Sequence, residues 1–372
     1  MKRIGNIWSK IIDIENIKEA HRNAKRDKSF YKEVKMVDEN LDYYAEQIHL
    51  MLKNKTYKVS RYRRQVINDK GKERVLLKLQ YYPDRIIQWA ILLQLSDVFN
   101  KNFCKHTCAS LPKRGIKRAK DLIKCYLKDQ SGSKYCLKLD IKKFYDSIDR
   151  SILKKQLRHK IKDKDLLWLL DLIIDSCPND KGVPIGSYLS QYLANFYLSS
   201  FDHYLKEQLR IKYCVRYMDD VVILSYSKKK LHNILVNVKD YVCKLNLELN
   251  NKYQIFSVGC RGVDFVGFRF FHHFTLLRKK SLKRLKRICL NVRDKWKRKL
   301  LMTYKEFCGI NAYCGWLEYC DSYRLKQKYF KPIKNALLHF YIVYINNDET
   351  KRYRYYIRFS KKLSLRMGGI IV

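Results

Sequence analysis

Two adjacent carboxylates, Asp219 and Asp220, end the four-residue word 217-YMDD-220, with Val215 before it and Val221-Val222-Ile223-Leu224 after it. A tight turn between two buried strands would push both acids out at the edge of a sheet and hold them rigidly. Like charges side by side are costly unless a cation binds them. Asp140 ends another apolar strand, so its carboxylate converges on the same point. Oxygen ligands of this kind suit Mg²⁺, with Mn²⁺ as a substitute, since Mg²⁺ keeps some waters and borrows phosphate oxygens from a nucleotide. Two such ions about 3.5–4 Å apart clamp the attacking and leaving oxygens of a phosphoryl transfer. An isolated Asp-Asp would be an ordinary polar turn; the apolar flanks and the strand-ending Asp140 distinguish this one.

The elements that must position these acids are legible around them. The segment 134-KYCLKLDIKKFYDSID-149 opens as a strand with Tyr135, Leu137 and Leu139 on one face, and 213-YCVRYMDDVVILSYS-227 reads as a hairpin. Two helices are expected across 150–176. Pro184 and Gly186 then break the chain before a helical run over 187–209, with Ser187 as its N-cap. A helix over 229–245 and strands around 246–275 follow, and from 278 the pattern is helical and basic (278-RKKSLKRLKRICLNVRDKWKRK-299). Upstream, residues 1–55 read as mostly helical. A hairpin with a basic tip is expected around Asp69-Lys70-Gly71-Lys72, and a helix over 84–99. The order is α+β rather than regularly alternating βαβ, without repeats or a Gly/Ser/Pro-rich linker.

Charge narrows the partner. Among 372 residues, 79 are Lys or Arg and 36 are Asp or Glu, a formal charge of +43. The basic residues are spread along the whole chain, interleaved with 29 tyrosines. That surface suits a polyanion whose phosphates are neutralised and whose bases are stacked upon; nucleic acid comes first and an anionic membrane surface second. The twelve cysteines contain no C-x-x-C pair; Cys104, His106 and Cys108 lack a second pair at zinc-site spacing, so free buried thiols in a reducing compartment are expected. The N-terminus carries no signal-peptide pattern and no apolar run is long enough to span a bilayer, so an intracellular, cytoplasmic protein is expected.

These motifs together resemble reverse transcriptases, over roughly residues 60 to 330. Tyr217-Met218-Asp219-Asp220 is similar to their catalytic hairpin and 140-DIKKFYDSID-149 to their first palm motif. The resemblance implies a right-hand polymerase fold: a helical N-terminal extension (1–57), fingers (58–133), a palm (134–275, with some fingers helices within 150–185), a helical basic thumb (276–345) and a basic tail (346–372). It implies an RNA-directed DNA polymerase acting on dNTPs, a template RNA and an RNA/DNA duplex, with two Mg²⁺ ions. Asp140 and Asp219 would be direct metal ligands with Asp220 supporting, joined by the Ile141 backbone carbonyl. Lys72 and Arg74 resemble the fingers residues that hold the triphosphate, and Lys252 matches a lysine that protonates pyrophosphate. The segment 107-TCASLPKRGIKRA-119 resembles the family's S-x-x-x-x-x-x-R-G-x-x-x-A element with its usual start replaced, which would put Arg114 among the nucleotide-binding residues. Tyr145, five residues after Asp140, stands at the steric gate, where a ring under the sugar would clash with a 2′-hydroxyl. Phe265-Val266-Gly267-Phe268 resembles the primer grip and 309-GINAYCGWLEYC-320 the thumb. Arg278, Lys279, Lys280, Lys283, Arg284, Lys286 and Arg287 are expected to contact nucleic acid.

One loop narrows the class. In 182-GVPIGSYLSQ-191, Ile185 stands where most relatives have Gln before the Gly, and Gln191 stands where they have Pro. The form Ile185-Gly186 followed by Ser190-Gln191 resembles the enzymes of diversity-generating retroelements, which misincorporate opposite template adenines and work with a small accessory protein. An aliphatic side chain cannot hydrogen-bond the incoming nucleotide, so mispairs would be penalised less. An antiphage or retron-type reverse transcriptase shares the chemistry. A non-catalytic RNA-binding or maturase-like protein would have no need of three clustered acids. The stretch after the thumb is too short for an RNase H or integrase domain, and its basic, aromatic end is expected to touch RNA or a partner.

Overall fold

A computed structural model describes residues 3–69, 72–184 and 187–346. Its contacts separate two units, 1–122 with 135–255 and 123–134 with 256–372.

In the first unit, helices α1 (Trp8–Ile12), α2 (Ile14–Ala24), α3 (Lys32–Glu39) and α4 (Leu41–Lys53) lead the chain. Ile11, Ile17, Ala20, Val34, Val37, Ile48 and Leu52 are buried, the three- and four-residue spacing that makes such segments amphipathic helices. Strands β1 (Arg63–Asp69) and β2 (Lys72–Lys78) pair antiparallel from Arg63↔Lys78 to Asp69↔Lys72, giving the expected hairpin. A kink over Tyr81–Arg85, with Tyr82 in extended backbone, leads into α5 (Ile86–Asn102), which buries Ile87, Ala90, Ile91 and Leu95. Helix α6 (Gly115–Leu127) carries the chain out of the first unit, and β3 (Tyr135–Asp140) brings it back. After β3 come α7 (Phe144–Ser147), α8 (Arg150–Lys160), α9 (Lys164–Asp175), α10 (Tyr188–Tyr197) and α11 (Ser199–His203). Strands β4 (Tyr213–Tyr217) and β5 (Asp220–Ser225), helix α12 (Lys228–Lys244) and strand β6 (Gln254–Ser257) follow.

The central sheet runs in the order β4-β5-β3-β6, with β5 antiparallel to both β4 and β3. Cys136, Leu137 and Leu139 on β3 and Val221 to Leu224 on β5 are buried, so the middle of the sheet is covered on both faces. Side-chain caps fix where the surrounding helices start: Asp149 for α8, Asp163 for α9, Ser187 for α10 and Ser227 for α12. The long helix expected over 187–209 is broken instead. Helix α10 stops at Tyr197, Ser199 turns its hydroxyl back onto the Phe196 carbonyl at 2.7 Å, and a π-helical turn occupies Tyr204–Gln208.

The second unit holds α13 (Val258–Arg261), the antiparallel sheet β7 (Val263–Phe265), β8 (Phe268–Phe270) and β9 (Thr275–Leu277), then α14 (Lys279–Lys297), α15 (Tyr304–Leu317), α16 (Tyr323–Leu325) and α17 (Lys334–Asn346). Strands β7 to β9 lie in the same unit as the helices that follow them. The Phe268 ring stacks on Trp316 of α15 with centroids 5.5 Å apart. A capping box at Thr303 and Glu306 starts α15. The basic end of the chain, 347–372, lies outside the described residues. No helix among the described residues is long and apolar enough to cross a membrane. All twelve cysteines are free; Cys108, Cys136, Cys177, Cys214, Cys289 and Cys314 are buried as expected, whereas Cys125, Cys243, Cys260 and Cys308 are exposed.

Candidate active site

The register of the central sheet brings the three acids together. Asp140, the last residue of β3, lies directly opposite Asp220, the first residue of β5, and Tyr217 pairs with Asp220 across the hairpin. Met218 and Asp219 are therefore the whole loop. Met218 takes φ 58°, a conformation that favours glycine at the first position of a two-residue hairpin turn and that stores strain in a side-chain-bearing residue. The Ile141 amide donates to the Asp219 carbonyl at 3.3 Å, tying the loop to the end of β3. From the other side the Asn250 amide group donates to Asp140 Oδ2 at 3.1 Å, and its backbone N–H donates to the Asp140 carbonyl at 2.7 Å.

Electrostatics at this edge favour a cation. Burial, reinforced by the charges of Asp140 and Asp219, pushes the Asp220 carboxyl up to about 7, although Lys138 opposes the shift from 3.4 Å. Asp220 Oδ1 is buried and has no hydrogen-bond partner among the described residues. Among the described residues no three His, Cys, Asp or Glu side chains are arranged as a closed metal-binding set. The residues nevertheless fit divalent cations: an orphaned carboxylate oxygen and two neighbouring acids offer hard oxygen ligands.

A carboxyl whose folded value lies above its ordinary 3.8 binds more protons folded than unfolded, so its contribution to stability falls as pH rises toward about 7. In EDTA, Asp220→Asn should therefore melt higher than the parent at pH 8, with the difference vanishing near pH 4. An equal difference at both pH values would contradict the shift.

Beneath the hairpin lies a network that the motifs did not reveal. Arg216 on β4 is fully buried and forks onto Asp202, Nε to Oδ1 at 2.7 Å and Nη2 to Oδ2 at 2.6 Å. Its Nη1 reaches the Met218 carbonyl at 2.9 Å and Asn195 Oδ1 at 3.1 Å. Thr107 adds a hydroxyl donor to Asp202 at 2.6 Å, and the backbone of 106–108 runs as a bridge beside Arg216. The Arg216 guanidinium holds the Asp202 carboxyl far below the usual carboxylate range despite its burial. The signal in the sequence was an arginine inside the otherwise apolar strand 213-YCVRY-217, where a buried charge demands a partner. Lys138 and Asn250 were missed as well; Lys138, two residues before Asp140, was legible from strand alternation alone.

Other expected site residues are placed as follows. Tyr145 is half-buried with its hydroxyl 3.6 Å from Met218 Sδ, and burial together with the Asp219 charge raises its phenol. Lys72 and Arg74 lie on β2, but their side chains are outside the described residues, as are Ile185 and Gly186 entirely. Gln191 is half-buried on α10. Lys252 is exposed two residues after Asn250, onto whose Oδ1 its backbone N–H folds at 3.1 Å. Arg114 is half-buried. Its Nη1 donates to the carbonyls of Cys104 and Thr107 at 2.7 and 2.8 Å, so it braces the loop beside Arg216.

In the second unit, Phe265↔Phe268 closes a two-residue turn of Val266 (φ 41°) and Gly267 (φ 90°), the doubly positive pattern of a type I′ hairpin. Arg278 donates its backbone N–H to the Gly267 carbonyl and pairs with Asp264. A Cβ on Gly267 would stand 2.1 Å from the Trp316 ring. Gly267→Ala should therefore lose about 2–3 kcal/mol from conformational strain and overpacking together; a melting point equal to the parent's would contradict the packing described. On α14, Leu285, Cys289 and Val292 face inward while Lys279, Lys280, Lys283 and Arg287 are exposed. Arg284 is half-buried and Lys286 lies over the Tyr329 ring.

Protein YkfC of Escherichia coli is 27% identical over 135 residues, which cover 34% of this chain and 35% of that protein. The retron Ec73 reverse transcriptase of Escherichia coli is 24% identical over 286 residues, covering 72% of this chain and 87% of its own. This chain thus spans about a third of YkfC but most of the retron enzyme. Among solved structures, telomerase from Candida albicans, in complex with a fragment of telomeric RNA, superposes with a TM-score of 0.50 at 12% identity, covering 85% of this chain and 59% of that one. The fold is the mixed helix-and-sheet right-hand polymerase fold. The model of the family described as reverse transcriptase (RNA-dependent DNA polymerase) matches residues 57–270, more than half of the chain, and the protein belongs to that family.

Proposed function

We propose that the protein is an RNA-directed DNA polymerase, with Asp140 and Asp219 as direct ligands of divalent cations and Asp220 in support. The observation that carries this is the pairing of Asp140 with Asp220 at the sheet edge, with Asp219 in the loop between β4 and β5. Bound Mg²⁺ would activate the primer 3′-hydroxyl and neutralise the leaving pyrophosphate. The chain's own groups supply the rest: Lys72 and Arg74 on the hairpin meet the triphosphate, Lys252 donates a proton to the leaving group, and Tyr145 excludes a 2′-hydroxyl. On this reading β1 and β2 belong to the fingers, the central sheet to the palm, the 265–268 turn to the primer grip and α14 onward to the thumb.

A cavity of about 560 Å³ in the first unit suits the template strand. Arg63, Lys78 and Arg85 line it together with the stacked pair Trp89 and Tyr188, whose centroids are 4.9 Å apart. Among the described residues, Arg85 Nε and Gln88 Nε2 are buried donors without acceptors. Stacking rings among unpartnered donors and cations are what a single-stranded nucleic acid engages. The test is primer extension on an RNA template with Mg²⁺ and dNTPs; absence of templated extension while RNA is bound would favour a maturase-like binding role instead.

Within this activity we infer an error-prone enzyme of a diversity-generating retroelement, on the strength of Ile185 in the loop before α10. Ile185→Gln should lower misincorporation opposite adenine about tenfold by restoring a hydrogen-bonding check on the nucleotide; an unchanged error spectrum would remove the subclass. The coverage shared with the retron Ec73 enzyme favours a retron-type role as the second reading.

A further inference from the structure

The geometry points to Arg150 and Gly182 as positioning residues for sugar selection: together they clamp the loop 177–183 onto the backbone of Tyr145 and so set how far its ring reaches toward the nucleotide. This rests on the reading of Tyr145 as the gate. Arg150, the first residue of α8, turns its guanidinium onto the loop rather than into solvent. Its Nε donates to the Gly182 carbonyl at 3.0 Å and its Nη2 to the Cys177 carbonyl at 3.0 Å, with the carbonyls of Asn179 and Lys181 beside the same nitrogen. One cationic side chain thereby gathers four carbonyls of a segment without helix or strand around its Nε and Nη2 donors, a task a neutral side chain could not perform with comparable strength.

The loop returns the contact through its own amides. Gly182 N–H donates to the Ile148 carbonyl at 2.8 Å and Val183 N–H to the Tyr145 carbonyl at 3.0 Å. The approach is so close that only glycine fits. Gly182 has φ 89°, and a Cβ there would lie 2.7 Å from the Tyr145 carbonyl oxygen and 2.9 Å from Asp146 Cα, both backbone atoms that cannot swing aside. At its other end the Tyr145 hydroxyl rests 3.6 Å from Met218 Sδ in the catalytic hairpin. The ring is thus held between the clamped loop and the turn that carries Asp219. A shift of a fraction of an ångström in the backbone anchor moves the rim of the ring against the 2′ position, where exclusion is steric and steep. Neither Arg150 nor Gly182 need touch the nucleotide.

The test compares kcat/KM for dNTP and rNTP incorporation in the parent, Arg150→Gln, Arg150→Lys, Gly182→Ala and Tyr145→Ala, with Arg150→Gln also combined with Tyr145→Ala. The expected result is that Arg150→Gln and Gly182→Ala each lower the dNTP-over-rNTP preference about tenfold, Arg150→Lys less, because a lysine reaches fewer of the carbonyls. In the Tyr145→Ala background Arg150→Gln should change the preference no further. Loss of dNTP activity with the preference intact, in whichever of the Arg150 and Gly182 variants fold, would reduce the clamp to a structural brace and overturn the inference. If Tyr145→Ala itself left the preference unchanged, the gate reading would fall and the inference with it. A drop in Tyr145→Ala without one in the clamp variants would sink the clamp alone.

Discussion

Asp219→Ala and Asp140→Ala are each expected to lower Mg²⁺-dependent dNTP incorporation on a primed RNA by about a thousandfold or more, while RNA affinity changes little. The size follows from where these acids stand. Asp140 closes β3 opposite Asp220, Asp219 occupies the second position of a two-residue turn, and the loop is tied back to Ile141. None can be replaced by a neighbour, because the next residues along β3 and β5, Leu139 and Val221, are apolar and buried. RNA affinity is set elsewhere, by a charge of +43 spread over the chain, and removing one negative charge from such a protein can only favour a polyanion. Filter-binding and single-nucleotide extension on the same preparations separate the two effects. Extension within a few-fold of the parent in both variants would remove the catalytic assignment.

The second large effect is expected at Arg216. Arg216→Ala strands the Asp202 carboxylate in a fully buried position, and an uncompensated buried charge costs about 3–5 kcal/mol. In a domain of this size that corresponds to a fall of about 10 °C in melting temperature. The pH dependence has a definite sign. Because the Asp202 carboxyl titrates below its ordinary value of 3.8, its contribution is complete at neutral pH and is lost only as pH falls below that value. The parent should therefore exceed Arg216→Ala in stability at pH 7 and approach it in strong acid. Replacing the pair together, Arg216→Met with Asp202→Leu, should restore part of the stability, since packed apolar groups stand in well for buried ion pairs. It should leave incorporation low, because the Met218 carbonyl still lacks the donor that steadies its strained turn. Full activity in the double variant would show that the network serves stability alone.

Much of this arrangement is encoded locally in the sequence. Asp140, Asp219 and Asp220 were legible because apolar alternation marks strands and acids at their ends stand out. The β1–β2 hairpin and the Ser187 cap were legible for the same local reason. What stayed hidden depends on contacts between distant positions. Asp202 and Arg216 are fourteen residues apart in sequence and belong to a helix and a strand, so nothing local announces their pairing. Arg150 looks like a solvated helix residue until the 177–183 loop is seen folded over it. Arg114 lies in a segment that resembles a family element, but the hydrogen bonds from its Nη1 to the carbonyls of Cys104 and Thr107 could not be read from it. The grouping of β7 to β9 with the helices after them was equally invisible, since it rests on Trp316 packing against the Gly267 turn.

Counting Mn²⁺ ions bound to the protein with primed RNA template and a non-hydrolysable dNTP, by electron paramagnetic resonance, tests the central claim most directly. The account predicts two tightly held ions in the parent and loss of at least one in Asp140→Ala and in Asp219→Ala. The same count in all three proteins would mean that these side chains do not hold the ions, and the polymerase site would have to be sought elsewhere.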